Sequence, residues 1–338
     1  MKDMKIAKDR PLPLPSDKNF MNSLLHDEGD PDPKVQAKLE KAMDCSYRNI
    51  VGELTYAMVT CRPDISFATV RCAQASAAPA EVHFRAAKHC MRYLYASRDE
   101  GLYFWRTTPR EDLEDKGIPP QRSTDADLLP VGRQHNGPFE LHAYTDANWA
   151  ACPKSRRSFT GICLRLAGGT IAYKTRFQPT VAISSTESEF MAASDAAKML
   201  LYTRSILYDL HIPQEAASPV YEDNNAATAM ANDGKPTTRT RHIDVRYFAI
   251  CDWVERDLVL LERVDTSQNL ADHFTKQLNR ILFYRHIDYI MGHVPPPHSP
   301  LFKPGYVSNA PAAAAAKICC DTSPWDYCVS QNAIQGVL

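Results

Sequence analysis

Two runs of alternating apolar residues, joined through a Gly-Gly pair, constrain this chain more than any other feature. Ile162, Leu164 and Leu166 alternate with polar or small neighbours up to Gly168-Gly169, and a second run extends from Ile171 to Lys174. Successive strand side chains point to opposite faces, and a short glycine turn between such runs marks a hairpin. Upstream, residues 141–146 alternate in the same way and predict a strand that ends on Asp146. Downstream the period becomes helical. Phe190, Ala193, Ala197, Leu200 and Leu207 form one stripe after Ser184-Ser185-Thr186, with Thr186 and Glu189 at capping-box spacing. An apolar strand at 219–222 then runs into Asp223 and a helix. Ile243, Tyr247, Ile250 and Val254 stripe another helix, and a strand at 259–264 and a helix at 269–276 follow. Strands interleaved with helices predict an α/β unit.

The flanks have a different texture. Residues 1–40 carry Pro11, Pro13, Pro15, Pro31 and Pro33 without a sustained period and read as an extended leader. A helix is expected from Tyr47 to a stop near Arg62-Pro63, and a short one from Asp64. Phe84, Ala87, Met91 and Leu94 stripe a longer helix over 80–97, and residues 102–105 predict a short strand. Residues 107–138 are polar and proline-bearing, and beyond Pro295 come a proline triplet and an alanine run. The expected division is a leader at 1–40, a helical unit at 41–106, a linker at 107–138, an α/β unit at 139–290 and a disordered tail at 291–338.

A formal net charge of −1 provides no global field for a polyanion, so contact with nucleic acid has to come from local basic clusters. No apolar run of 18 residues occurs, and nothing at the N-terminus resembles a secretory signal. The chain therefore reads as intracellular, not secreted, and with no membrane partner. Its 10 cysteines contain no CxxC pair and no zinc-finger spacing, which suits reduced, buried thiols.

Four acids stand where a sheet-based metal site wants them: Asp146 and Asp223 at strand ends, Glu189 at the start of the long helix and Asp272 in the last one. Carboxylate oxygens so placed can converge on two divalent ions about 4 Å apart. Spacing alone does not decide this, because an Asp after a strand is commonly a turn residue and Asp223 could be an N-cap. The flanking segments are far more specific. They include Tyr144-Thr145-Asp146-Ala147-Asn148-Trp149-Ala150, Ser184-Ser185-Thr186-Glu187-Ser188-Glu189-Phe190, Glu222-Asp223-Asn224-Asn225-Ala226-Ala227, Arg241-His242-Ile243-Asp244-Val245-Arg246-Tyr247 and Asn269-Leu270-Ala271-Asp272-His273-Phe274-Thr275-Lys276. In this order they resemble the ribonuclease H domain of copia-type retrotransposon polyproteins. Tyr47-Arg48-Asn49-Ile50-Val51-Gly52 and Arg62-Pro63-Asp64-Ile65 are similar to the end of that family's reverse transcriptase, its thumb and connection region.

The resemblance implies a ribonuclease H-like mixed five-stranded sheet with flanking helices, preceded by a small helical reverse transcriptase remnant. It also implies an Asp-Glu-Asp-Asp site of Asp146, Glu189, Asp223 and Asp272, holding two Mg²⁺ or Mn²⁺ ions. Glu187 competes for the glutamate role, but Glu189, followed by Phe190 and small helix residues, fits it better. The implied reaction is cleavage of the RNA strand of an RNA–DNA hybrid, with Arg156, Arg157, Lys174, Arg176, Arg239 and Arg241 as contacts to the backbone. His242 reads as structural. Two departures are plain: Asn148 stands where the family has a second acid, and Ala151-Cys152 where it has Gly-Asp. No Asp-Asp pair flanked by Tyr or Phe occurs, so no polymerase activity is expected and a separate reverse transcriptase chain would be a partner. The alternative is a truncated, non-catalytic remnant that at most binds nucleic acid. An integrase would want its Glu last, and an aspartic protease needs an Asp-Thr/Ser-Gly motif that is absent.

Overall fold

The computed structural model describes residues 14–16, 24, 29–104, 140–233 and 244–293. Its first helix, α1 (Pro33–Met43), lies partly inside the stretch expected to be an extended leader. Asp32 accepts from the Lys34 N–H at 2.9 Å, Pro33 occupies the first turn, and Asp44 ends the helix in a left-handed conformation. Pro33 is thus a helix starter, since its missing N–H and fixed φ suit the first position. Helices α2 (Tyr47–Thr60), α3 (Ser66–Ala73) and α4 (Glu81–Ala96) complete a helical layer, with a 3₁₀ turn at Pro63–Ile65.

The sheet comprises β1 (His142–Asn148), β2 (Phe159–Leu166), β3 (Gly169–Phe177), β4 (Ser218–Glu222) and β5 (Val259–Arg263), in the spatial order β3-β2-β1-β4-β5. The β1–β2 and β2–β3 pairs are antiparallel, while β4 runs parallel to both β1 and β5. The hairpin turn is Ala167-Gly168, with φ of 51° and 78°, and Gly169 already pairs with Leu166. Two positive φ values match the primed turns that suit twisted hairpins, so the turn lies one residue earlier than the Gly-Gly pair suggests.

The long helix α5 (Ser185–Asp209) packs on β1 and β2. Ala193, Ala196 and Ala197 keep it close, and with Phe190 and Leu200 they cluster against Leu141, Ala143, Ile162, Leu164 and Val220. Helices α6 (Asn225–Asp233) and α7 (Asp244–Glu255) follow on that side, where Ile250 joins the same cluster. The last expected helix is broken up. Residues Thr266–Gln268 form a 3₁₀ turn, and only α8 (Asp272–Thr275) is helical. Beyond it α9 (Arg280–Ile290), capped by Asn279 accepting from the Leu282 N–H at 3.0 Å, had no counterpart in the sequence reading. Residues 101–104 form no strand; instead the Tyr103 N–H donates to the Met291 carbonyl at 2.8 Å.

The opposite face of the sheet contributes Tyr144, Cys163 and Tyr221 to a cluster shared with the helical layer (Tyr47, Leu54, Phe84, Met91) and with Phe274, Phe283 and Ile287. Several polar groups of this seam are paired with one another. Arg62 makes a bidentate ion pair with Asp64, which also accepts from the Tyr93 hydroxyl at 2.8 Å. A ring nitrogen of His273 meets the Asp64 carbonyl at 3.0 Å. Burial pushes the His273 imidazole down to about 4, so it is neutral there. Cys72, Cys90, Cys163 and Cys251 are buried free thiols.

Candidate metal centre

One end of the sheet gathers the carboxylates. Asp146 pairs in register with Gly161 of β2. A Cβ at Gly161 would meet Thr275 Cγ2 at 2.6 Å and the Ala271 carbonyl oxygen at 2.7 Å. Only glycine therefore lets the α8 segment lie against the sheet. Three bonds then tie that segment to β1: the Thr275 hydroxyl donates to Asp146 Oδ2, Asn269 Nδ2 to the Thr145 carbonyl at 2.8 Å, and Asn148 Nδ2 to the Thr275 carbonyl at 3.3 Å. Asn148, which stands where the resemblance expects an acid, thus helps to seat α8. Asp272 reaches the cluster by this route and pairs with Lys276 at 2.7 Å.

The two candidate glutamates separate cleanly. Glu187 Oε2 accepts from the Ile183 N–H at 2.7 Å, while the Glu187 N–H donates to Ser184 Oγ at 3.1 Å. The capping pair is therefore Ser184 with Glu187, not Thr186 with Glu189. Glu189 is buried and faces the sheet, where its Oε2 accepts from the Ala147 N–H at 2.7 Å. The N-terminus of α6 is capped by Asn224, whose Oδ1 accepts from the Ala226 and Ala227 N–H groups at 2.9 and 3.2 Å. Asn224 thus takes the capping role open to Asp223.

Carboxylate oxygens of Asp146, Asp223 and Asp272 lie within 4.8 Å of one another, and so do those of Glu189, Glu222 and Asp223. Glu222 was not singled out from sequence. It is 0% exposed, and its Oε1 accepts from the Asp223 and Asn224 N–H groups at 3.1 and 3.3 Å. The one sequence signal was its place beside Asp223 at the end of an apolar strand. Burial, then the neighbouring carboxylates, raises Glu189 and Glu222 well above the usual range. Burial also raises Asp146, and burial together with Asp146 pushes Asp272 up to about 8. Burial opposes the charge on Lys276, yet Asp146 and Asp272 hold its pKa above the ordinary value. Carboxylates this crowded ionise readily only when a cation joins them.

The expected basic contacts are dispersed. Arg156 and Arg157 are exposed on the β1–β2 loop, with Arg156 at a φ of 56°. Lys174 lies half-buried on β3, where burial and the adjacent Arg176 depress its pKa. Arg176 itself is ion-paired with Asp195 of α5. Arg239, Arg241 and His242 lie outside the described residues.

Three antiparallel strands, two further strands parallel to the first, one long helix across a face and acids at the sheet end define a ribonuclease H-like fold. The chain is similar to copia-type retrotransposon Pol polyproteins at about 30% identity over 70% of its length. It is 31% identical over 237 residues to the retrovirus-related Pol polyprotein from transposon TNT 1-94 of Nicotiana tabacum, a match covering 70% of this chain and 16% of that protein. The chain thus spans about a sixth of the length of that relative. Secreted RxLR effector protein 161 of Plasmopara viticola is 33% identical over 152 residues, which is 45% of this chain and 87% of that protein. Among solved structures, LC11-RNase H1 is similar over 40% of this chain and 92% of its own, at 15% identity and a TM-score of 0.33. No family model matches the chain. Among the described residues no helix is long and apolar enough to cross a membrane.

Proposed function

We propose that this chain is a metal-dependent endonuclease that cleaves the RNA strand of RNA–DNA hybrids, with Asp146, Glu189, Asp223 and Asp272 as its ion-holding carboxylates. The observation that carries this reading is the pair of three-carboxylate groups meeting at Asp223. The donor set consists of hard carboxylate oxygens, which suit Mg²⁺ or Mn²⁺. Two such ions, when bound, supply an acidified water as nucleophile and charge compensation for the leaving 3′-oxygen. The chain's own groups hold the donors still. The Ala147 N–H fixes one oxygen of Glu189, the Thr275 hydroxyl fixes one of Asp146, and Lys276 steadies Asp272.

Arg156, Arg157 and Lys174 are proposed to meet the hybrid's phosphates, and Arg176 can do so only by leaving Asp195. Selection of a hybrid over DNA would come from 2′-hydroxyl contacts in the wide minor groove. In this reading residues 41–106 are the end of a reverse transcriptase, 107–138 a linker and 139–290 the nuclease unit. A reverse transcriptase is the proposed partner of this unit.

The test is incubation of the full chain with end-labelled RNA–DNA hybrid, DNA duplex and RNA duplex in Mg²⁺ and Mn²⁺. Cleavage of the hybrid's RNA strand alone is expected, leaving 5′-phosphate and 3′-hydroxyl ends and stopping when EDTA removes the metal. A folded chain that leaves the hybrid intact in both metals contradicts the proposal.

A further inference from the structure

The four acids implied by the resemblance leave one buried carboxylate at the sheet end without a role. Glu222 is the last residue of β4 and shares the sheet face of Val220, the face covered by α5. Its side chain is fully buried, and among the described residues its Oε2 has no hydrogen-bond partner. The charged neighbours that act on it are Glu189, Asp146 and Asp223, all of the same sign. Leaving a buried polar atom unpaired is costly, and crowding like charges around it is costlier still. An arrangement of this kind persists where something positive completes it.

The geometry supplies the place. Oxygens of Glu189, Glu222 and Asp223 lie within 4.8 Å of one another. Oxygens bound to one octahedral Mg²⁺ at about 2.0–2.1 Å lie about 2.9 Å apart when adjacent and about 4.2 Å apart when opposite, so the three carboxylates draw inward when an ion joins them. Both backbone bonds of Glu222 go to Oε1, while Oε2 remains for a ligand. Glu189 offers its second oxygen in the same way, because Oε2 is held by the Ala147 N–H.

We propose that Glu189, Glu222 and Asp223 form a divalent-cation site on the α5 side of the sheet, with Glu222 as a ligand, and that Asp223 bridges it to the Asp146–Asp223–Asp272 group. This deepens the hybrid-cleavage reading and rests on it, adding a fifth carboxylate to the four. Each group then contributes two carboxylates of its own and shares the fifth, so removing Glu222 weakens one site and leaves the other.

The experiment is a Mn²⁺ titration of the full chain followed by electron paramagnetic resonance, comparing wild type, Glu222→Gln and Asp146→Asn. The expected result is at least about tenfold weaker binding at one site in Glu222→Gln, with Asp146→Asn weakening the other. An unchanged isotherm in Glu222→Gln, with Asp146→Asn weakened, overturns the role of Glu222 alone and leaves it a neutral acid closing the β4–α6 turn. Unchanged binding in both variants, or no Mn²⁺ binding by wild type, overturns this site and the metal-centre reading together. Should Glu222→Gln fail to fold, Glu222→Asp replaces it under the same criterion, its carboxylate one methylene short.

Discussion

The two faces of the sheet are built from different resources. The α5 face is closed by elements that follow the first strand: Phe190, Ala193, Ala197 and Leu200 of α5, with Ile250 of α7, lie on Ala143, Ile162, Leu164 and Val220. The other face has Tyr144, Cys163 and Tyr221, and its cover includes the helical layer, with Tyr47, Leu54, Phe84 and Met91 in the same cluster as Phe274 and Phe283. The seam carries named contacts. Phe67 meets Phe159 edge-on at 5.7 Å, Tyr93 meets Phe283 at 6.1 Å, and the Tyr173 hydroxyl donates to the Met58 carbonyl. The carboxylates straddle this divide, with Glu189 and Glu222 on the α5 side and Asp272 on α8 at the seam. One half of the candidate site is therefore braced within the α/β unit, and the other leans on the helical layer, where His273 meets Asp64 about 200 residues upstream in sequence.

The sharpest way to break that contrast is to excavate each side. Phe190→Ala on the α5 face and Phe84→Ala in the helical layer should each cost about 3–5 kcal/mol, the range for large-to-small changes in a packed core. Because the seam is one cluster, calorimetry should show Phe84→Ala lowering a single transition that includes the sheet. A separate early melt of the helices, with the sheet unmoved, would show that the layer is only an appendage.

Gly161→Ala probes the hinge between the two halves. The added Cβ meets a backbone oxygen as well as a side-chain methyl, so the α8 segment has to move away from β2. A loss of about 1–3 kcal/mol is expected, and displacement of Asp272 should lower hybrid cleavage by more than tenfold. Full activity in a Gly161→Ala chain would mean that the position of α8 does not matter.

A smaller effect should appear with pH. Asp272 is pushed up to about 8 from an ordinary value of 3.8, so its protonated form is favoured by folding. Stability is thus lost as pH rises toward 8, and the upward shifts of Asp146, Glu189 and Glu222 act in the same direction. His273 and His286, pushed down to about 4 from 6.5 by burial, act oppositely. Their stability is lost as pH falls from 6.5 toward 4. At about 1.4 kcal/mol per pH unit, Asp272 alone should cost the metal-free chain about 2 kcal/mol between pH 6 and pH 8. Added Mg²⁺ should abolish the alkaline loss and leave the acid one. Equal Mg²⁺ stabilisation at pH 6 and pH 8 would count against ions sitting among these carboxylates.

What was legible in the sequence follows the same divide. The hairpin and α5 showed themselves through the alternation of Ile162, Leu164 and Leu166 up to a glycine turn and through the helical spacing of Phe190, Ala193, Ala197, Leu200 and Leu207. Helix α9 did not, since His286 and Asp288 are buried within it and the apolar Ile281 is exposed, which blurs the helical period. Helix α1 was hidden by a proline that starts it. The four acids were legible through their flanking segments, yet Glu222 was not, because a five-residue strand buried on both faces offers no alternation to show which way an acid points. Nor could spacing reveal that Glu187 caps α5 while Glu189 faces the sheet; that depends on where Ile183 and Ala147 lie.

Asp223 is the one residue common to both carboxylate groups, so its substitution tests the account most directly. The rate of RNA-strand cleavage in a labelled hybrid should be compared between wild type and Asp223→Asn in Mg²⁺, with thermal melts confirming that both are folded. The expected result is a loss of about 10³-fold or more, equivalent to about 4 kcal/mol of barrier, in a chain whose metal-free melting temperature is undiminished. Cleavage by Asp223→Asn at or near the wild-type rate would contradict the assignment of this sheet end as the catalytic centre.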